Sequence, residues 1–288
     1  MSSKLKKIAG QAKFFATALR PTASRKPAWS GAPVEGAITT DFQQDLAKLA
    51  TYQDICGFSR SEFVPSTWLH VQTFPLQTEI MGGRDWPFPI LGTVHVANQM
   101  RQFRPVRIDE ELFLCVQVGQ LYPHRRGTIV TMNGTIMVDK ELVWAGRSDY
   151  LIPGYEVPGQ PHKVEQEELP VVEAASSRQL GADLGRKYAK VSGDYNPIHL
   201  SAASAKMFGF KSAIAHGMWT HAWALAAQED HLPDAYETRV QFSKPVALPS
   251  TVHFLRDGER YGVVSDDGKM HLAGHIRPLS EREMGRPV

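Results

Sequence analysis

Three polar side chains of complementary chemistry fall within six residues: Asp194, Asn196 and His199, in Val191-Ser-Gly-Asp-Tyr-Asn-Pro-Ile-His199. A carboxylate and an imidazole held at one point can bind one water, take a proton from it and return a proton. Gly193 and Pro197 exclude a regular helix through the stretch, because proline lacks an N–H and biases its predecessor to extended geometry. An irregular segment of this kind can aim both groups at one point. The same residue types also suit a plain Asx-turn that caps a helix, with His199 a partner in the cap. Residue types alone leave both readings open. Ser201 then reads as the N-cap of a short helix over Ala202–Phe208, which Gly209 stops.

A second group, Ala215-His216-Gly217-Met218, opens the stretch His216–Gln228, HGMWTHAWALAAQ. It is apolar nearly all round, so it predicts a buried helix. A helix N-terminus presents free N–H groups and a partial positive charge. Glycine there lets a ligand approach the backbone closely. Gly217 can therefore donate to an oxyanion forming on a carbonyl. His216 and His221 could ligate a metal together with His199, but the chain has no HExxH, no CxxC and no clustered acidic ligands, so no metal is expected. GxGxxG, GxxxxGK[ST] and GxSxG are also missing, which removes support for dinucleotide, P-loop and serine-hydrolase chemistry.

The elements that must carry these groups repeat along the chain. Tyr52-Gln-Asp-Ile-Cys-Gly57 matches Tyr188-Ala-Lys-Val-Ser-Gly193, Ile90-Leu-Gly92 matches Ile214-Ala-His-Gly217, and Gln102-Phe103 with Pro105-Val106 matches Gln241-Phe242 with Pro245-Val246. Three matches in one order point to duplication. Each half reads as a short helix, an irregular stretch, an apolar helix and a run of strands. The second half predicts strands at Thr238–Phe242, Ser250–Arg256, Tyr261–Ser265 and His271–Ile276. The first predicts a helix at Thr93–Arg101, then strands at Glu111–Gln120, Gly127–Val138 and Glu141–Trp144. A buried helix wrapped by an antiparallel sheet is an α+β arrangement, and two such units can join their sheets edge to edge.

Pro/Gly-rich residues 154–170 read as a linker between units at 36–153 and 171–282. Residues 1–35 form a basic arm. Seven of the 32 basic residues lie in residues 1–34 with no acidic residue, which leaves the remainder with 25 basic against 30 acidic. A mildly acidic body argues against a nucleic-acid partner. The arm's composition fits a mobile extension on a cytoplasmic protein, a mitochondrial presequence or a surface-lying amphipathic helix. Two cysteines, Cys56 and Cys115, are expected to be reduced. No run approaches the roughly 18 apolar residues of a membrane span.

Tyr188-x-x-Val-Ser-Gly-Asp-Tyr-Asn-Pro-Ile-His199 followed by Ala215-His-Gly-Met218 resembles the signature of the MaoC-like, hydratase-2 type hot-dog enzymes. The two-half layout, over about residues 36–280, resembles their double-hot-dog 3-hydroxyacyl-thioester dehydratases. The resemblance implies a double hot-dog fold and reversible hydration of trans-2-enoyl thioesters to (R)-3-hydroxyacyl thioesters of CoA or acyl carrier protein, with no cofactor. It implies Asp194 and His199 as the catalytic pair, Asn196 as their support and the Gly217 N–H as oxyanion donor. Tyr188, His216, Met218 and Lys211 are the expected substrate contacts. A serine found downstream in some relatives has no clear match, since Leu225 and Ala226 stand near that position.

The first half has Gly57-Phe-Ser-Arg-Ser-Glu-Phe63 where the second has the motif, so one site per chain is expected. Phe74, Met81, Trp86, Phe88 and Ile90 are candidate walls for the acyl tail. Lys206, Lys211, Arg239 and Lys244 are candidate contacts for the anionic carrier. A thioesterase or an acyl-thioester binding protein on the same fold is the alternative. The chain is expected to be a monomeric pseudo-dimer or a homodimer.

Overall fold

The structure is a computed structural model that describes residues 34–161, 166–169 and 171–284. The basic arm, apart from its last two residues, lies outside them. In chain order the elements are β1 (Ala37–Phe42), α1 (Leu46–Cys56), α2 (Ser66–Met81), β2 (Val94–Gln102), β3 (Leu112–His124), β4 (Gly127–Val138) and β5 (Glu141–Pro153). There follow β6 (Ser176–Leu180), α3 (Leu184–Ser192), a 3-10 turn at Pro197–His199, α4 (Ala202–Lys206) and α5 (Gly217–Ala226). A second 3-10 turn at Glu229–His231 leads to β7 (Tyr236–Phe242), β8 (Ser250–Asp257), β9 (Arg260–Ser265), β10 (Met270–Pro278) and α6 (Glu281–Met284).

The ten strands of the described residues form one antiparallel sheet, ordered β1-β3-β4-β5-β2-β7-β10-β9-β8-β6. The order reads as the same five-strand pattern from either end, meeting where β2 pairs with β7 through Ala97↔Gln241 to Gln102↔Tyr236. This is the double hot-dog arrangement. At the seam the buried Glu237 takes Arg101 Nε at 2.5 Å and Gln99 Nε2 at 2.8 Å. Each half of the sheet wraps its own buried helix, α2 in the first half and α5 in the second. No helix of the described residues is long and apolar enough to cross a membrane.

The repeat is visible in local chemistry. α1 and α3 each end at a glycine in the left-handed region, Gly57 at φ 93° and Gly193 at φ 81°, where a side chain would be strained. The two halves are pinned together around these helix ends. Arg178 of β6 donates to the carbonyls of Ile55 and Cys56 at 2.9 and 3.0 Å and lies over the Trp219 ring. The Trp219 indole N–H donates to Ile55 as well, at 3.0 Å. Trp68, Trp144 and Trp219 are all buried. Each removes roughly 150–250 Å² from water, which at about 25 cal/mol/Å² is a transfer gain of about 4–6 kcal/mol.

The first-half helix lies elsewhere than expected. Thr93–Arg101 is not a helix: Val94–Gln102 is β2, with burial alternating over Asn98, Met100 and Gln102. The counterpart of α5 is α2, at Ser66–Met81, and it contains Pro75. Gly92 therefore sits in the turn before a strand, at φ 87°, and does not match Gly217. The second-half strands and helix fall within a few residues of expectation, as does α4, whose N-cap Ser201 accepts from Ser204 N.

Candidate active site

The motif is held open by capping bonds. Gly193 ends α3, and the chain then turns through Asp194 with its Oδ1 accepting from Asn196 N at 3.1 Å. Asn196 Oδ1 caps the Pro197–His199 turn through Ile198 N at 3.4 Å. The Asx-turn reading and the catalytic reading thus describe one piece of backbone: the turn is the device that sets the carboxylate. Asp194 keeps a 24% exposed side chain while His199 and His216 are buried.

His199 Nδ1 lies 2.8 Å from the Ile214 carbonyl, so Nδ1–H donates there and Nε2 carries the lone pair. His216 Nε2–H donates to the Asp194 carbonyl at 2.9 Å. The His216 ring stacks on His199 with centroids 3.7 Å apart and leans on Tyr188 at 4.9 Å. Each of Asp194, His199 and His216 brings one ligand-type atom within 4.8 Å of the others. That span suits one water oxygen hydrogen-bonded to two of them. It suits a metal poorly. The two rings are face to face, only 26° from parallel, and cannot both point in-plane lone pairs at one ion.

Burial sets the charge states. Desolvation pushes the Asp194 carboxyl up, opposed by His199 and by the Asn196 N–H. Desolvation also pulls His199 down, opposed by Asp194 and by the Ile214 carbonyl. His216 is held well below the ordinary range by burial and by the neighbouring His199. Both imidazoles are therefore neutral near pH 7.

Gly217 opens α5 with its N–H among those a helix leaves free. A Cβ on it would come 3.1 Å from the Phe242 ring, so any larger residue would require that ring to give way by a few tenths of an ångström. Asp194, Asn196, His199, His216, Gly217, Met218 and Tyr188 all line one cavity of about 260 Å³. The first half supplies part of the remaining wall, including Phe74, Met81 and Ile90.

Other expected contacts are elsewhere. Trp86 and Phe88 pack at an edge-on angle in a small cluster with Val130 and Ile152, away from the cavity. Lys211, Lys206 and Arg239 are exposed and do not line it, whereas Lys244 does. The bridge Ile214↔Ala247 explains the difference. It runs antiparallel, with Ala215 N bonded to Val246 O, which carries Lys244 toward Gly217 and Lys211 away from it. Leu225 and Ala226 are core residues, and the polar group that α5 shows to the cavity is Thr220.

Sequence reasoning missed His70, His95 and Tyr150 on the wall, and Gly185 beneath His199. A Cβ at Gly185 would meet the His199 carbonyl oxygen at 1.9 Å, so this glycine lets α3 lie against the Pro197–His199 turn. A glycine interrupting an amphipathic helix pattern was the available signal.

A family model described as MaoC like domain matches residues 163–267. The chain is 34% identical over 208 residues to 3-hydroxyacyl-thioester dehydratase X of Mycobacterium tuberculosis, covering 72% of this chain and 74% of that relative. The crystal structure of HtdX from that bacterium matches at a TM-score of 0.75 and 30% identity, over 85% of this chain and 100% of the other. Another protein of the same organism, with a double hot-dog fold, matches at a TM-score of 0.56 and 12% identity, over 89% of this chain and 99% of that one. That last likeness is one of fold.

Proposed function

The chain belongs to the MaoC-like dehydratase family, and from that premise we propose which of its residues perform the reaction. It is a hydro-lyase that interconverts 3-hydroxyacyl thioesters and their dehydrated enoyl forms. The carrying observation is that Asp194 and His199 lie within 4.8 Å of each other on the wall that also holds the free end of α5.

We assign the following roles for hydration of a trans-2-enoyl thioester to the (R)-3-hydroxyacyl form. A water bridges Asp194 and His199. The Nε2 lone pair of His199 takes its proton as oxygen adds to C3. Asp194, whose carboxyl burial favours in the protonated form, gives a proton to C2 on the same face. The Gly217 N–H holds the negative charge that gathers on the thioester oxygen between these steps. A proton then passes from His199 to Asp194 and the site is restored. Dehydration runs the same steps backward. Asn196 supports the pair through its N–H to Asp194, His216 through its bond to the Asp194 carbonyl. Tyr188 and Met218 bound the cavity.

The catalytic unit in this reading is residues 171–282, with 36–153 as a structural partner and 154–170 joining them. The partner half supplies wall but no counterpart of the Asp194–His199 pair, so in this reading one chain carries one complete site, whether alone or as a homodimer. CoA and acyl carrier protein both present an anionic phosphopantetheine, for which Lys244 is the basic residue at the cavity. Two unpaired cysteines suit a cytoplasmic location.

The test is the loss of enoyl absorbance on adding purified protein to trans-2-enoyl-CoA and carrier-protein thioesters, with thiol release followed in parallel. Hydration without thiol release is expected. Thiol release with the enoyl group intact would replace this reading with a thioesterase.

A further inference from the structure

The two halves share a β-bulge and differ in what it carries. In β10, Met270 and Leu272 face Val264 and Val263, successive residues of β9, so His271 is one residue too many for the ladder. In β5, Leu142 and Trp144 face Met137 and Ile136 of β4 in the same way, and Val143 is the extra residue. One backbone bond repeats as well. Phe103 N donates to the Val143 carbonyl and Ser243 N to the His271 carbonyl, both at 2.9 Å. A bulge breaks the alternation of a strand and re-aims a side chain. Val143 fills the apolar core from this position. His271, also buried, stands on the wall of the cavity. Valine builds the bulge in the first half, so the frame itself does not require an imidazole.

That imidazole is fixed by a hydrogen bond. Its Nδ1 lies 2.9 Å from the Lys244 carbonyl oxygen, and a carbonyl only accepts, so the proton is on Nδ1. Desolvation pulls the ring below the ordinary histidine range, which leaves it neutral at physiological pH with a lone pair on Nε2. Nε2 bonds to no group of the described residues. It is not sealed off as the partnerless nitrogens of His95 and His216 are. Lys244 lies midway between two contacts with the start of α5. Two residues before it, Phe242 packs on Gly217, and two residues after it, Val246 O accepts from Ala215 N. Lys244 is exposed and also lines the cavity, which puts it at the rim. A chain that leaves the Gly217 N–H and runs out past Lys244 passes the His271 ring.

We propose that His271 is a specificity residue for the carrier arm, its Nε2 accepting the amide N–H that lies two carbons from the thioester sulfur. The proposal rests on the hydro-lyase reading above and names the part of the substrate that this wall recognises. CoA and acyl carrier protein share that amide, so the contact reads the phosphopantetheine arm and not the body at its far end. An ester oxygen in place of the N–H would set one acceptor against another.

The experiment is kcat/KM for trans-2-enoyl thioesters of one chain length on four carriers: N-acetylcysteamine, its analogue with oxygen in place of the amide N–H, CoA and acyl carrier protein. The amide is expected to exceed the ester by roughly 10-fold, the scale of one hydrogen bond to a buried acceptor. In His271→Val, which installs the side chain the first half uses, the amide-to-ester ratio should fall to about one, and in His271→Gln part of it should return. Damage to the fold would lower both truncated thioesters and leave their ratio standing. His271→Val should also lower turnover of whichever full carriers the parent accepts. A parent ratio near one overturns the proposal, as does a ratio that survives in His271→Val. So does a loss confined to one of two accepted carriers, or a parent that hydrates a full carrier thioester and neither truncated one. All of these outcomes leave the hydration reading intact. Turnover of no thioester at all would remove that reading and this proposal with it.

Discussion

The Nδ1 of His199 lies 2.8 Å from the carbonyl oxygen of Ile214, one residue before the segment that leads into α5. That bond fixes the tautomer of the imidazole, so the lone pair on Nε2 is always presented to the cavity. His199→Ala and Asp194→Asn should each lower kcat by more than about 10²-fold, with far-UV circular dichroism and melting unchanged within a few degrees. Near-native hydration by either variant would end the mechanism.

Gly185 carries no reactive group, yet it bears on the same imidazole. At an ordinary helix position alanine is better than glycine by about 0.5–1 kcal/mol. Here a Cβ would come 1.9 Å from the His199 carbonyl oxygen. Gly185→Ala is therefore expected to reverse the sign and destabilise by about 1–3 kcal/mol, the scale of an overpacked site, and to depress kcat through displacement of the turn. Urea unfolding and steady-state rates check both. A variant at least as stable as the parent would show that α3 can simply move.

The acyl wall makes a length prediction. Met81→Trp and Ile90→Trp fill the cavity and should shift the preferred substrate to shorter chains, while Phe74→Ala should admit longer ones. Trp86→Phe and Phe88→Leu, in the separate cluster, should leave the preference where it is. A C4 to C16 series reads this directly, and a profile that ignores all three wall changes would place the acyl tail elsewhere.

Carrier recognition separates two lysines. Lys244→Ala should raise KM for CoA thioesters several-fold more at low salt than at high salt, as expected for one screened charge pair. Lys211→Ala should not, because Lys211 is directed away from the cavity. Equal effects from the two would refute this placement.

Stability should fall in acid before the carboxylates titrate. Burial holds His70, His95 and His221 at about 3 and pulls His199 and His216 down as well. An exposed histidine sits near 6.5. The unfolded chain therefore binds protons that the folded chain refuses, and stability is complete above about pH 6.5 and lost as pH drops toward 3. Each such histidine adds a slope of about 1.4 kcal/mol per pH unit in that window. Asp194 acts with the opposite sign, its raised value favouring the folded state as pH falls, but it is one group against five. The melting temperature should decline steadily from pH 6.5 to 4.5, and a flat curve there would show that water reaches these rings.

The second half was largely legible because its local signals agree. Gly193, Pro197 and Ser201 each impose a backbone constraint that the folded chain obeys, and α5 is apolar nearly all round and buried. The first half was legible only at its ends. Pro75 argues against a helix, yet Ser66–Met81 stays helical through it because tertiary burial outweighs one lost N–H. Val94–Gln102 was misread because its polar residues, Asn98 and Gln102, point inward at the seam and hide the alternation that marks a strand. Gly185 and His271 escaped notice for another reason: what makes them matter is a partner far away in sequence.

α2 runs for 16 residues where α5 runs for ten, and the added length carries Thr78 and Met81 along the cavity. In the proposed reading, the unit that lacks the Asp194–His199 motif serves as a ruler for the acyl chain. Changes in that ruler leave Asp194 and His199 in place, so in this reading measuring and reacting are divided between the two units. A lineage, or an engineer, can redraw the size of the accepted molecule in the first unit without renegotiating the chemistry in the second.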